Sequence, residues 1–547
     1  MKSVSSPFPR TFRRARAPLF TTLTFCSVAL LTGCGGSDGG GNAPQLQGRW
    51  TTGDLHVHTV QSDDSRTTQT LDLVLGKAFK SYGLDWMSVT NHLRSSKYDN
   101  DGNLLPAPTA FAYGMEKYEI PRIKALQAQG TYADKLIFSA FEWDMPTRDH
   151  VGVGIFEGGA NLQASSGGTK EFQYLFTTGS ESLFDAADVA RWKAKYPQRY
   201  NQTGDDALKA IAWLKDNYPD SSYALINHPS RNPGKYTAGV FRQMHDLAPN
   251  QVFAIEGMVG NQLEPDRGGY TSAYTDANLP NRTYGGTDYV VAQLGGVWDA
   301  LLGEGRRIWN IANSDSHFAI DANNNSSGYF PGEYAKNYVW QSKPGGGIAG
   351  LVNDLRAGRS FGVFGDLVNG LDFDITGTSG QAAYMGQELK ALPSETVTVR
   401  VRFKSPAVNN YQRPVESGNL GNMMPKVDHI DLIVGDVGAR AQPGTAAYQQ
   451  STNASTRVLR RFTAADWTLD KDGYYRMEFP LSVTKNQYFR LRGTNLGENV
   501  AGLTSRGEPL PDKAVTTADA ATRHDQINDR NYGSLWFYSN PIFVSLR

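Results

Sequence analysis

The chain has 547 residues, with 54 basic and 54 acidic side chains, 39% hydrophobic residues, 57 Gly and 2 Cys. That is a soluble globular composition with room for two or three domains; it excludes collagen-like, disordered and disulfide-stapled classes, and no stretch approaches the roughly 20 uninterrupted apolar residues of a membrane-spanning helix. The charge is unevenly placed: Lys2, Arg10, Arg13, Arg14 and Arg16 precede the first acid, Asp38, and without them 49 basic groups face 54 acidic ones, a net charge of about −5. A mildly acidic surface lacks the electrostatic footprint of extended nucleic-acid binding.

Behind the basic residues, Pro18 to Leu31 is apolar and about as long as a secretory h-region. It ends in Leu31-Thr32-Gly33-Cys34, which resembles the lipobox of bacterial lipoproteins. The resemblance implies that residues 1–33 are a signal peptide and that Cys34 carries a diacylglyceryl group anchoring the protein to a membrane of the bacterial cell envelope, periplasmic or outer. Cleavage leaves Cys34 as the sole thiol, so no intrachain disulfide forms. Residues 34–48 then read as the lipidated Cys and a Gly-rich flexible tether.

Over residues 49–365, short β-rich apolar runs alternate with amphipathic helical stretches, the pattern of βα units in a barrel or layered sheet. Strands are expected at Asp85 to Thr90, Leu136 to Phe141, Tyr223 to Asn227, Val252 to Ile255 and Ile308 to Asn313; helices at Thr70 to Ser81, Asp205 to Tyr218 and Asp288 to Gly303. Gly152-Val153-Gly154 with Gly158-Gly159 lacks the spacing of a phosphate-cradling loop and reads as a strand and turn. Residues 366–547 change texture to period-2 alternation, at Val397 to Phe403, Ile430 to Val434, Tyr474 to Phe479, Tyr488 to Arg492 and Leu535 to Val544. An antiparallel β-sandwich without a strong helix is expected there, with its aromatics in the core.

Six of the nine histidines fall at or just beyond expected strand ends, in His56-Val57-His58, Asn91-His92, His150, Asn227-His228-Pro229 and Ser314-Asp315-Ser316-His317, with Glu142 at another end. Residues two apart on an extended chain project to one face, so His56 and His58 reach one ion. In a βα barrel these ends converge on one rim. Imidazole with carboxylate suits Mn, Zn or Fe, and eight such groups exceed one ion's needs, so a multinuclear centre of two or three divalent metal ions is expected. His245, His429 and His524 fit no motif and read as surface or packing residues.

The ordered series Asp54-Leu55-His56-Val57-His58-Thr59 with Ser62-Asp63, Thr90-Asn91-His92, Glu142, His150, Asn227-His228-Pro229 and Ser314-Asp315-Ser316-His317 resembles the PHP (polymerase and histidinol phosphatase) family of metal-dependent phosphoesterases. Arg356-Ala357-Gly358-Arg359-Ser360 is similar to the helix-to-strand ending of such domains. The resemblance implies an α/β fold, a distorted barrel of about seven βα units. It also implies three metal positions: His56, His58, Glu142 and Asp315; Glu142, His150 and His228; and Asp63, His92 and His317, with Asp64 an alternative to Asp63. Asn91 departs from the family, which usually has Asp there.

The reaction expected from this resemblance is hydrolysis of a small phosphorylated substrate by a metal-bridging hydroxide, with His317 or His92 protonating the leaving oxygen and Arg94, Arg148 and Arg231 gripping the phosphate. Two alternatives stand beside it: a cyclic nucleotide or phosphodiester hydrolase on the same centre, and a non-catalytic envelope scaffold.

Overall fold

β1 (Arg49–Asp54) starts at the protein surface and runs inward until Gly53 and Asp54 are buried. The computed structural model describes residues 48–270, 275–321, 325–410 and 423–547. The leader, Cys34 and most of the tether lie outside them.

β1 pairs in parallel with β2 (Trp86–Val89), and β2 with β3 (Leu136–Ser139). The chain continues into β4 (Phe141–Asp144), which joins a second sheet with β5 (His150–Glu157), β6 (Ser222–Ile226), β7 (Ala254–Met258) and β8 (Trp309–Ala312). In that sheet β6, β7 and β8 are parallel, while β5 runs antiparallel to both neighbours. The glycines at 152 and 154 therefore sit in a strand, as their spacing suggests. These strands are almost wholly buried, which explains their continuous apolar runs.

Beyond the strand ends, two isolated parallel bridges join the sheets, Val57 to Ser316 and His92 to Glu142. Backbone bonds from His58 to Ser316 (3.0 Å) and from Leu93 to Glu142 (2.7 Å) hold them. No sheet closes on itself among the described residues, so the architecture is mixed α/β with its strand ends stitched together on one side.

Helix α1 (Leu71–Leu75), capped by the Thr70 hydroxyl, passes into a π turn over Gly76–Ser81, and α2 (Gly204–Asn217) opens with a capping box between Thr203 and Asp206. The single helix expected over 288–303 is two pieces, α3 (Tyr289–Ala292) and α4 (Val297–Leu302). Gly295 between them takes φ +73, a conformation the apolar periodicity does not reveal. α5 (Gly347–Ala357) ends on left-handed Gly358 and leads into a strand, as the Arg356 to Ser360 segment implies.

The first sheet continues past β1 through β9 (Ala335–Gln341) and β10 (Ser360–Phe364) into the C-terminal third, an 11-stranded sheet in all. β11 (Gly370–Thr376) and β13 (Thr396–Lys404) belong to a separate five-stranded antiparallel sheet with β16 (Tyr475–Ser482). Interleaved with these and following them in sequence, β12 (Glu388–Ala391), β14 (His429–Asp436), β15 (Arg457–Thr463), β17 (Gln487–Thr494), β18 (Trp536–Ser539) and β19 (Ile542–Leu546) extend the large sheet. The inward residues Val397, Val399, Val401 and Phe403 share one core with Ile542 and Val544.

Two expectations for this part are corrected. Residues 365/366 do not separate two sheets, because β10 pairs directly with β18, Phe361 opposite Ser539. The C-terminal part also holds a 14-residue helix, α6 (Ala520–Gly533), capped by Asp519, and β12 pairs in parallel with β19. Among the described residues no helix is long and apolar enough to cross a membrane.

Candidate metal centre

β1 delivers His56 and His58 to the stitched side of the fold. The Asp54 carboxylate accepts the His56 amide at 2.9 Å and the Ser314 amide at 3.1 Å, clamping the ends of β1 and β8 together. The Asn91 side chain accepts the Thr59 amide at 2.7 Å and donates to Glu119 at 2.8 Å. Asn91 is thus a bracket beside His92. Gly260 passes so close to Asp315 that an added Cβ would lie 2.1 Å from the Asp315 Cβ, so only glycine leaves room for this carboxylate. His228, Asn261 and Asp315 all hold positive φ (+22, +52 and +47), local strain concentrated around one site.

Six imidazoles converge on Glu142 and Asp315. Glu142 Oε1 lies 3.0 Å from His56 Nε2, 3.0 Å from His228 Nε2 and 3.1 Å from His150 Nδ1; Oε2 lies 3.3 Å from both His58 Nε2 and His92 Nδ1. Asp315 Oδ1 lies 3.0 Å from His56 Nε2 and 3.2 Å from His58 Nε2. Asp64 Oδ2 approaches His92 Nε2 at 2.9 Å and His317 Nε2 at 3.3 Å. Four overlapping sets have ligand atoms within 4.8 Å of one another: His56, His58, Glu142 and Asp315; Glu142, His150 and His228; His58, Asp64, His92 and His317; and His92, Asp144 and His150.

Proton counting shows why this cluster suits cations. A neutral imidazole carries one N–H, and that of His56 is used by Nδ1 on Glu256 Oε2 at 2.7 Å. Its Nε2 lone pair then faces two carboxylate oxygens and, at 3.1 Å, His58 Nε2. Glu142 Oε2 and Asp315 Oδ1 are buried yet accept no hydrogen bond. Lone pairs aimed at lone pairs in a buried space are costly unless a cation lies between them, and imidazole with carboxylate is the donor set for a first-row divalent metal. The residues therefore fit the implied ions.

Burial opposes protonation of His56 and His150, yet the surrounding carboxylates hold the first above its ordinary range and bring the second up to about 9; a bound cation takes the place of that extra proton. Burial alone would raise Glu142, yet the histidines at 56, 150 and 92 hold it well below the usual carboxylate range. Asp315 is held down in the same way, chiefly by His56 and His317. His92 is pushed down to about 4, mainly by burial, and so stays a neutral ligand at pH 7. Burial opposes protonation of His317, but Asp315 and Asp64 bring it up to about 8.

The two adjacent acids left as alternatives face different partners. Asp64, rather than Asp63, reaches the His92–His317 pair; Asp63 turns instead to Arg94 at 3.1 Å. Adjacent residues point to opposite sides, and the path of the 59–65 turn selects the second. The three arginines also separate. Arg94 spends its fork on Asp144, with two bonds of 2.6 Å. Arg148 is half-exposed and reaches only the Thr147 carbonyl, at 3.4 Å. Arg231 lies inside the cluster, on His150 Nδ1 at 2.8 Å and Asp315 Oδ2 at 3.4 Å.

Sequence reasoning missed Glu256, Asp144, Asp149 and Asn261. Asp144 Oδ1 lies 3.0 Å from His150 Nε2, and Asn261 donates to Asp315 at 2.5 Å. Asp149 accepts from Asn232 and lies 3.7 Å from His228 Nδ1. Glu256 carried a usable signal: it follows an expected strand directly, where the ligand histidines also lie. His245, His429 and His524 are buried away from the cluster, bonding to Arg307, Asp428 and Asn528 respectively.

Comparison of the chain with protein-family models, with curated proteins and with solved structures finds no match.

Proposed function

We propose that this protein is a metal-dependent phosphoric ester hydrolase built on a multinuclear centre of two or three divalent ions. The single observation that carries the reading is Glu142, whose two oxygens face five imidazole nitrogens at 3.0–3.3 Å and so stand between neighbouring cation positions. His56, His58, Asp315, His150, His228, Asp64, His92 and His317 complete the ligand sets. Bound there, the ions supply Lewis acidity toward phosphoryl oxygens and an activated water at neutral pH.

The chain's own residues orient the rest. Glu256 and Asp54 lock the His56 ring and backbone, and Asn261 and Gly260 seat Asp315. His317 Nδ1 lies 3.0 Å from the Asp315 carbonyl, which directs Nε2 to Asp64, a ligand's arrangement. Arg231, in contact with His150 inside the cluster, is the guanidinium that would grip a phosphoryl group, while Arg94 positions Asp144 and Asp63. The βα strand order, bridged at its ends, supports a distorted barrel around the centre, and Leu31 to Cys34 supports a lipid anchor in the cell envelope.

Purified protein assayed against a panel of phosphomonoesters and diesters, with Mn or Zn added, tests the proposal and separates the two substrate classes. Turnover that disappears in the His56→Ala, His58→Ala double variant is the expected result. No turnover of any ester by metal-loaded protein would refute it.

A further inference from the structure

Arg231 raises a question of charge. Its side chain is 13% exposed, and its guanidinium contacts both ligand carboxylate and ligand imidazole: Nη1 lies 3.4 Å from Asp315 Oδ2, and Nη2 lies 2.8 Å from His150 Nδ1 and 3.7 Å from Asp149 Oδ1. A guanidinium only donates, so the 2.8 Å contact fixes His150 Nδ1 as a lone pair. The His150 proton must then sit on Nε2, which faces Asp144 Oδ1 at 3.0 Å.

That same Nδ1 is the atom that completes the set of Glu142, His150 and His228, lying 3.1 Å from Glu142 Oε1. One lone pair cannot serve an N–H donor and a metal ion at once. Asp315 Oδ2, which Arg231 also approaches, accepts in addition from Asn261. The set of His58, Asp64, His92 and His317 contains neither His150 nor Asp315 and so escapes this conflict.

We propose that Arg231 is a built-in competitor for the metal position of Glu142, His150 and His228, so that this position fills last and most weakly. The inference rests on the metal-centre reading above. Because guanidinium stays charged at all working pH values, raising the pH does not relieve the competition as it would for a proton. What relieves it is an oxyanion that pairs with the guanidinium and draws it off His150. Phosphate arriving at the site would thereby complete the centre that acts on it, coupling substrate binding to occupancy of the last metal position.

The test is a calorimetric titration of Mn²⁺ alone into the metal-stripped full-length protein, comparing wild type with Arg231→Gln and Arg231→Met. Met retains the apolar stem of the side chain and provides a second variant should Gln disturb folding, which circular dichroism monitors. The weakest Mn²⁺ dissociation constant should fall at least about tenfold in the variants, the expected sign and scale for removing a like charge at contact distance, while the tighter constants stay within about twofold. Added inorganic phosphate should tighten the weakest site more in wild type than in either variant. A weakest constant that is unchanged or raised in folded variants overturns the competition. Wild-type protein that binds no Mn²⁺ overturns the metal-centre reading itself, a different and distinguishable failure.

Discussion

Glu256 Oε2 accepts the Nδ1 proton of His56 at 2.7 Å, with neither side chain exposed to solvent. Asn313 donates to the same oxygen at 3.0 Å and the Gly260 amide to the other at 3.1 Å. Three donors on one carboxylate fix its position and, through it, the His56 tautomer, which leaves Nε2 for a cation.

Glu256→Gln should weaken metal binding by about 10–100-fold, the range seen when partners that orient a ligand are lost. The amide must turn an N–H toward one of three existing donors, so the His56 ring loses its fixed orientation. A Mn²⁺ titration checks this, and affinity equal to wild type would show that His56 needs no orienting carboxylate.

Asp64→Asn and Asp63→Asn should part company. Asp64 stands among His58, His92 and His317, so its variant loses about one ion per chain by elemental analysis. Asp63 contacts Arg94, and both side chains are about a third exposed. Its variant keeps its metals and loses at most about 1 kcal/mol of stability. Equal metal loss in both would mean that the 59–65 turn offers either carboxylate.

Glu119 sets a pH dependence of stability. Burial pushes its carboxyl up to about 8, against the hydrogen bond that Asn91 donates to it. The folded protein keeps a proton that the unfolded chain releases near the ordinary 4.5, so this group's favourable contribution is complete below that value and is lost as pH rises toward 8. The slope is at most about 1.4 kcal/mol per pH unit. Glu119→Gln, which stays neutral, should melt with a flatter pH profile than wild type between pH 5 and 8. Parallel profiles would place the Glu119 carboxyl back in its ordinary range.

Asp299 tests whether the two halves of the chain fold together. It accepts from Arg490 at 2.8 and 2.9 Å and from the Tyr488 hydroxyl at 2.9 Å, with Asp299 and Arg490 almost completely buried. Asp299→Ala strands the guanidinium and should cost about 3–5 kcal/mol. One lowered melting transition is expected. Two separate transitions in wild type would mean that the halves unfold independently.

The clustered histidines at 56, 58, 92, 228 and 317 were legible because each lies just past an apolar strand, and parallel strands deliver their ends to one side; His150 instead opens the antiparallel β5 and reaches the same side from its start. Glu256 carried the same local signal, one residue past the strand expected to end at Ile255, but a single carboxylate there stands out less than a paired histidine motif. The choice between Asp63 and Asp64 depends on the direction of a turn that composition does not encode. The break at Gly295 is hidden because Val291, Leu294, Val297 and Leu301 keep helical spacing across it. The sheet crossing residue 365 rests on pairing between Phe361 and Ser539, far apart in sequence, which no local alternation foretells.

Elemental analysis of the purified full-length protein tests the central claim most directly. Two or three equivalents of Mn, Zn or Fe per chain, reduced by at least one in the His56→Ala, His58→Ala variant, are predicted. Folded wild-type protein that holds no transition metal after exposure to all three would contradict it.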